Sequence, residues 1–240
     1  MSERYDSTAA RHYAAFRPPL HPLILARVIS PHESFRVGLD VGCGTGHSAV
    51  ALTRYCDQVL GLEPSRAMLE VAQRHPKVSY HQGSGDALAD LPVQAFGVVT
   101  FAGSLFYAKT ERLHNELLRV CPVGGTIVAY DFEVLVHEVM ANLGTECPPV
   151  ASEYDHRANL SDWPEFRIDG NGNDRVGLDV AGTEMAHLLL ADSNRYEALV
   201  RRFPNGDPFV ALVGHLEKAR VQLHVDADIF FTRYRILGGG

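Results

Sequence analysis

Five short runs rich in β-branched, aromatic and leucine residues, FRVGLDV, DQVLGLE, KVSYHQ, AFGVVTFAG and GGTIVAYDFEV, recur along the first 134 residues with helix-like stretches between them. Strands that alternate with helices can pair only through crossovers, which implies a parallel sheet with both faces covered. The intervening helices read as 47–55, 65–74 with Met68, Leu69 and Ala72 on one side, and 110–120 with Leu113, Leu117 and Leu118. Pro122 followed by Gly124 and Gly125 then stops the chain before the fifth strand.

The flanks follow other patterns. RYDSTAARHYAAFRPPLHPLILARVIS reads as two helical pieces broken at Pro18 and Pro19, the second turning Leu20, Leu23, Ile24, Leu25 and Val28 inward. After about residue 135 the alternation fails. Residues 138–169 look irregular, and FRIDGNGNDRVGLDV looks like a hairpin closed by a Gly/Asn turn. GTEMAHLLLADSNRYEALVRRF and DPFVALVGHLEKARVQL read as helices, and DADIFFTRYRIL as a closing strand. A length of 240 residues suits one domain. Its expected parts are an N-terminal helical lid (1–33), a core (34–135), cap and substrate insertions with a hairpin (136–228) and a closing strand (229–240).

Composition narrows the function classes. A net charge of −7 with no Lys/Arg-rich run argues against a nucleic-acid partner, since phosphate binding needs a concentrated basic face. Twelve histidines raise the question of a metal, yet no H-x-x-x-H or H-E-x-x-H spacing occurs, so no metal is expected. Cys43, Cys56, Cys121 and Cys147 show no C-x-x-C spacing, which favours reduced thiols in the cytoplasm. The polar start MSERYDSTAARHY is not a signal peptide, and no run approaches the ~18 apolar residues of a membrane span. A soluble monomer or homodimer is expected.

The chemistry concentrates at strand ends. In LDVGCGTGHSA, Gly42, Gly44 and Gly46 stand on alternate positions directly after the first strand, where an open parallel sheet receives its ligand. From Gly44 to Ala49 the loop meets the dinucleotide pattern G-x-G-x-x-A; from Asp40 it reads D-x-G-x-G-x-G and suggests a different nucleoside cofactor. Glu63 ends the second strand, where an acid can accept from both ribose hydroxyls of either cofactor. Asp86, after the third strand, discriminates: its carboxylate can accept from an adenine amino group while the amide of Ala87 donates to the ring.

Asp40-Val41-Gly42-Cys43-Gly44-Thr45-Gly46, Glu63-Pro64-Ser65 with Met68, Gly85-Asp86-Ala87, and Leu118-Arg119-Val120 before Pro122-Val123-Gly124-Gly125 together resemble class I S-adenosylmethionine-dependent methyltransferases over residues 34–133. The N-terminal YDSTAARHYAAFRPPLHPLIL is similar to the opening of small-molecule methyltransferases of the trans-aconitate type. The resemblance implies a Rossmann-like, doubly wound α/β fold: a seven-stranded sheet, mostly parallel with an antiparallel last strand, helices on both faces, N-terminal helices and a cap insertion after the fifth strand. It implies S-adenosyl-L-methionine as cofactor and S-adenosyl-L-homocysteine as product. Asp40, Gly42, Cys43, Gly44 and Gly46 would then face the methionine end and Glu63 the ribose. Pro64, Met68, Asp86, Ala87 and Leu88 would surround the adenine, and Phe101, Ala102 and Ser104 would lie beside the methyl group. Tyr13 and Arg17 would fold over the cofactor, Arg17 as a candidate for the methionine carboxylate.

Methyl transfer from a sulfonium can proceed by proximity and orientation alone. Where the acceptor is a hydroxyl or ring nitrogen of a small molecule, Tyr107, Asp131, His137 and His187 are the candidate bases. The acceptor pocket is expected among Tyr13, Ser104, Phe106, Tyr107, Asp131, Phe132 and His187, with an aromatic lining and few polar groups, suiting a compact metabolite. Two other readings stay open at this point. One is a regulatory protein that binds the cofactor without turnover; the other is a nicotinamide oxidoreductase, which leaves Asp40 and Gly42 without a role and lacks a Y-x-x-x-K pair.

Overall fold

A computed structural model describes residues 7–145, 153–218 and 223–238. The elements run, in order, α1 (Ser7–Ala15), α2 (Leu20–Val28), β1 (Phe35–Val41), α3 (His47–Leu52), β2 (Cys56–Glu63), α4 (Arg66–Glu70), β3 (Val78–Gln82), a 3-10 turn (Gly85–Asp90) and β4 (Val98–Ala102). There follow α5 (Leu105–Ala108), α6 (Glu111–Val120), β5 (Thr126–Leu135), α7 (His137–Asn142), β6 (Phe166–Val180), α8 (Gly182–Leu190), α9 (Ser193–Arg202), α10 (Pro208–Lys218) and β7 (Leu223–Ile236). The sheet has seven strands in the order β3-β2-β1-β4-β5-β7-β6. Strands β1 to β5 pair in parallel, with Asp40 of β1 beside Gly61 of β2 and Thr100 of β4. The last strands are antiparallel: the end of β7 bonds the residues just before β5, through Ile236 and Gly125, and the residue just before β6, through Leu237 and Glu165. The Rossmann-like sheet read from the sequence is therefore the fold.

Local signals explain the elements. Thr110 caps α6 by accepting the Leu113 amide at 3.1 Å, and Leu113, Leu117 and Val120 form its buried stripe. Ser65 caps α4 in the same way through Met68. The strand order reverses between β1 and β4, so β1 lies in mid-sheet, its last four residues all buried.

Several expectations are corrected. FRIDGNGNDRVGLDV is one 15-residue strand, not a hairpin. Tight hairpin turns need positive φ, and neither Gly170 nor Gly172 has it; instead a Cβ on Gly172 would meet the Phe231 ring at 2.7 Å, so this glycine makes room for an aromatic on the neighbouring strand. The stretch after residue 137 is not wholly irregular, since α7 occupies its start and β6 begins at Phe166. The first of the two helices expected beyond residue 181, over 182–203, is split into α8 and α9, because Asp192 caps a new helix through the Arg195 amide at 2.9 Å. Helices α3 and α4 end earlier than their apolar patterns. In α2, Leu25 is buried and Leu23 only half-buried.

The chain divides into two compact units. One comprises residues 19–132, 154–174 and 229–240, with a core built on Leu39, Leu62, Val99, Phe101, Leu117 and Ile127. The other comprises residues 1–18, 133–153 and 175–228, with a core around Met140, Met185, Leu189, Leu199 and Leu212.

Candidate functional site

The glycine loop leaves β1 at Val41. Gly42, Gly44 and Gly46 have φ of 72°, 54° and 86°, so three left-handed residues coil the backbone within five positions. The amides of Gly42 and Cys43 both donate to the carbonyl of Leu62, pinning the loop to the end of β2. A Cβ on Gly42 would meet Ser104 at 2.5 Å, and one on Gly46 would run into the Tyr80 hydroxyl. At Gly44 the only neighbour among the described residues would be Met68 Sδ at 3.7 Å, so the middle of the loop is its open side.

Two carboxylates brace this turn. Glu63, buried at the end of β2, accepts the Gly44 amide on Oε2 and the Ser65 amide on Oε1, both at 2.9 Å. A carboxylate offers about four acceptor positions, so each oxygen keeps capacity for a further donor. Asp40 lies beneath the loop, fully buried, its oxygens taking the hydroxyls of Ser48 at 2.5 Å and Thr100 at 2.7 Å. Burial pushes its carboxyl up to about 6, against the two hydroxyl donors, which hold it down. Cys43 is a buried thiol held well above its usual range by desolvation. Cys56 and Cys121 are likewise free and buried; Cys147 lies outside the described residues.

Around the loop, Pro64 is exposed and Met68 half-buried; Leu88 is fully buried. Asp86 and Ala87 fall in the 3-10 turn, but their side chains are outside the described ones. Phe101 is wholly buried in the core, while Ala102 is half-buried. Ser104 donates to the Val41 carbonyl, tying the end of β4 to the root of the glycine loop.

Directly beside Ser104 opens a cavity of about 290 Å³ lined by Gly103, Phe106, Asp131, Tyr154, His156 and Phe230, among others. Asp131 Oδ2 is within hydrogen-bond distance of the Tyr154 hydroxyl at 2.6 Å and of His156 Nδ1 at 2.8 Å, and Oδ1 accepts the Phe132 amide at 2.8 Å. Burial first, and Asp131 second, raise the Tyr154 phenol far above its usual range, so it stays a donor. The rings of Phe106 and Tyr154 meet edge to face at 5.1 Å, and His156 stacks on Phe230 at 5.8 Å. Contrary to expectation, the lining is rich in polar groups, with Asp155, Arg157, Asn159, Ser161, Asn171 and Asn173 beside the aromatics. Tyr107 stacks on Tyr154 but is 63% exposed, and Phe132 meets the buried His21 edge to face at 5.3 Å.

Tyr13, Arg17, His137 and His187 belong to the other unit. There the Arg17 guanidinium lies 3.8 Å from the Tyr13 ring centroid. His187 Nδ1 approaches His12 Nδ1 to 2.9 Å; burial lowers both imidazoles, and for His12 the neighbouring His187 adds to the effect. His137 is exposed at the start of α7. Among the described residues no group of three or more potential ligands could hold a metal, and no helix is long and apolar enough to cross a membrane.

Sequence reasoning missed Tyr154 and His156, which stand in a stretch without periodicity and reach Asp131 only because the chain returns after α7. It also missed Ser48 and Thr100. Thr100 had a signal, since in a parallel sheet it is the neighbour of Asp40 on the adjoining strand.

Residues 39–129 match the family model described as a methyltransferase domain. The chain is 26% identical over 134 residues to "Probable S-adenosylmethionine-dependent methyltransferase CRG1" of Saccharomyces cerevisiae, covering 52% of this chain and 45% of that protein. It is 37% identical over 95 residues to ubiquinone biosynthesis O-methyltransferase of Paracidovorax citrulli, covering 35% and 40%. The chain thus spans about half the length, or less, of these relatives. Among solved structures, a candidate type II methyltransferase from Anaeromyxobacter dehalogenans superposes with a TM-score of 0.65 at 21% identity, over 93% of this chain and 98% of that one. YcgJ of Bacillus subtilis does so with 0.55 at 14% identity, over 92% and 99%. Sequence match and strand order agree: residues 39–129 match a methyltransferase domain, and they stand in a sheet with the fold of solved methyltransferase structures.

Proposed function

We propose that this protein transfers a methyl group from S-adenosylmethionine to an oxygen or nitrogen of a small-molecule acceptor by in-line displacement. The observation that carries the reading is the glycine loop, coiled by three left-handed residues, open at Gly44 and braced there by Glu63. The residues suit the cofactor: an open, carboxylate-flanked turn at a switch point accepts a ribose and a backbone-bound amino-acid end and needs no phosphate cradle. When bound, S-adenosylmethionine supplies a methyl carbon on a sulfonium whose leaving group is a neutral thioether.

The chain's own residues then bind and orient. The Glu63 oxygens, already fixed by two amides, accept the ribose hydroxyls without reorganising. Asp86 would accept from the adenine amino group with Pro64, Met68 and Ala87 beside the ring, while Leu88 lies wholly in the core behind them. Asp40 holds the loop from below through Ser48 rather than by touching the ligand, and Ser104 fixes the rim beside the acceptor cavity. At about 290 Å³ that cavity is just below the ~300–1,000 Å³ typical of ligand pockets, which favours a compact metabolite over a polymer. The name of the Paracidovorax relative supports oxygen as the acceptor atom. The N-terminal pattern further supports the small-molecule subgroup of the trans-aconitate type.

Incubation with methyl-labelled S-adenosylmethionine and a metabolite extract tests the reading. The expected result is label in a small organic product; label confined to the cofactor across extracts contradicts it.

A further inference from the structure

We infer that His156 is the proton acceptor for a planar, hydroxyl-bearing molecule held in the cavity beside Ser104, and that Asp131 is the residue that orients its imidazole. The inference rests on the methyl-transfer reading above and names the acceptor class for it.

The geometry fixes the tautomer. An ionised carboxylate can only accept, so the 2.8 Å contact between Asp131 Oδ2 and His156 Nδ1 puts the proton of the neutral ring on Nδ1 and leaves the lone pair on Nε2. Asp131 is itself immobilised by the Phe132 amide on Oδ1 and the Tyr154 hydroxyl on Oδ2, and the imidazole is held flat by stacking on Phe230. A base whose second nitrogen is tied to a fixed carboxylate is the arrangement used to accept a proton and then stabilise the resulting cation. Other candidates fit less well. Tyr107 is 63% exposed, and Asp131 already has partners on both oxygens. Among the described residues, the other titratable or charged groups lining the cavity around the imidazole are Tyr154, Asp155 and Arg157.

The place is also right. Gly103 lines the cavity, and the next residue, Ser104, donates to Val41 and packs against Gly42 of the cofactor loop. An acceptor resting against Phe106 and Tyr154 therefore lies at the rim of that loop, on the side of β4 and β5.

The arrangement also selects the acceptor chemistry. A carboxylate arrives ionised and has no proton to give, so a base does nothing for it. A nitrogen that arrives uncharged can shed its proton to water after it has been methylated. A neutral hydroxyl, by contrast, becomes strongly acidic as it attacks, so it gains most from a base in place. In the balanced step the oxygen lone pair forms the O–CH3 bond as the C–S bond breaks and its electron pair passes to sulfur. The hydroxyl proton moves to His156 Nε2. The sulfonium charge is lost, one imidazolium charge appears next to Asp131, and the proton is later released to water.

The test uses the full chain with labelled S-adenosylmethionine and two probes: catechol, and 4-nitrocatechol, whose more acidic hydroxyl is already ionised at neutral pH. The wild-type protein is expected to methylate both. His156→Gln should lower kcat on catechol by about 100-fold or more with little change in KM, since a general base contributes about that much, while turnover of 4-nitrocatechol is largely kept. Asp131→Asn, which takes away the fixed acceptor of the imidazole, should also lower kcat on catechol with little change in KM and largely spare 4-nitrocatechol. Binding of S-adenosylhomocysteine at wild-type strength in each variant shows that it is folded. Equal losses on both probes, or none, would overturn the role of His156. Tight binding of S-adenosylhomocysteine by the wild type with no turnover of either probe would overturn the hydroxyl class; no binding at all would instead overturn the methyl-transfer reading.

Discussion

The carboxylate of Glu63 accepts the amide of Gly44 at 2.9 Å, so the open middle of the glycine loop is held by the residue that ends the second strand. Its other oxygen holds Ser65 at the same distance. Glu63→Ala would remove the ribose acceptor and free both amides. Hydrogen bonds to a charged group contribute about 1.5–3 kcal/mol, so affinity for S-adenosylhomocysteine, measured by equilibrium dialysis, should fall roughly 10- to 100-fold. Glu63→Gln, which keeps one acceptor oxygen, should lie between the two.

Two glycines of the same loop should respond unequally to alanine. A left-handed conformation costs an L-residue about 1–2 kcal/mol, and at Gly44 that is the main cost, because among the described residues its Cβ would meet only Met68 Sδ at 3.7 Å. At Gly46 the Cβ would also collide with Tyr80, meeting Cζ at 2.8 Å. Chemical denaturation should therefore show a larger loss for Gly46→Ala than for Gly44→Ala. Adding Tyr80→Phe to Gly46→Ala should recover part of it by removing the hydroxyl.

Asp40 should work against stability as pH rises. Its carboxyl sits at about 6 in the folded chain, above the ordinary ~3.9 of an unfolded aspartate. Between those values the unfolded state loses its proton first, so stability declines as pH rises through the window and is level above it. The full difference is roughly 3 kcal/mol at 1.36 kcal/mol per pKa unit. Denaturation of wild type and Asp40→Asn from pH 3.5 to 7.5 should show the gap between them changing across that window and constant above about 6.5.

Glu33 should act in the opposite direction. Arg233 clasps it with Nη1 at 2.8 Å and Nη2 at 2.5 Å, and this hydrogen bonding holds its carboxyl down to about 2. The stabilisation is complete above about pH 4.5 and is lost as pH falls through 2. Because Glu33 is partly exposed, solvent screening limits it to ~1 kcal/mol. Glu33→Gln should be less stable than wild type at neutral pH and converge with it in acid.

The parallel core was legible because β1, β2, β4 and β5 carry their own apolar runs and the glycines of the loop follow a strand end, where the sheet puts its ligand. The same local logic misled at Gly170 and Gly172: a Gly/Asn cluster signals a turn only where the backbone needs positive φ, and here a partner strand kept it extended. Asp40 was legible as a site residue, but not its burial, because the hydroxyls that take its charge come from α3 and β4. The Asp131, Tyr154 and His156 cluster was least legible. Only Asp131 stands on a readable strand; the other two are brought to it by tertiary packing.

Titration calorimetry of the wild-type chain with S-adenosylhomocysteine and, separately, with NADH tests the account most directly. Saturable one-site heat with S-adenosylhomocysteine and none with NADH is the predicted result. Heat with NADH alone would contradict it, and would return the loop of Gly42, Gly44 and Gly46 to a dinucleotide.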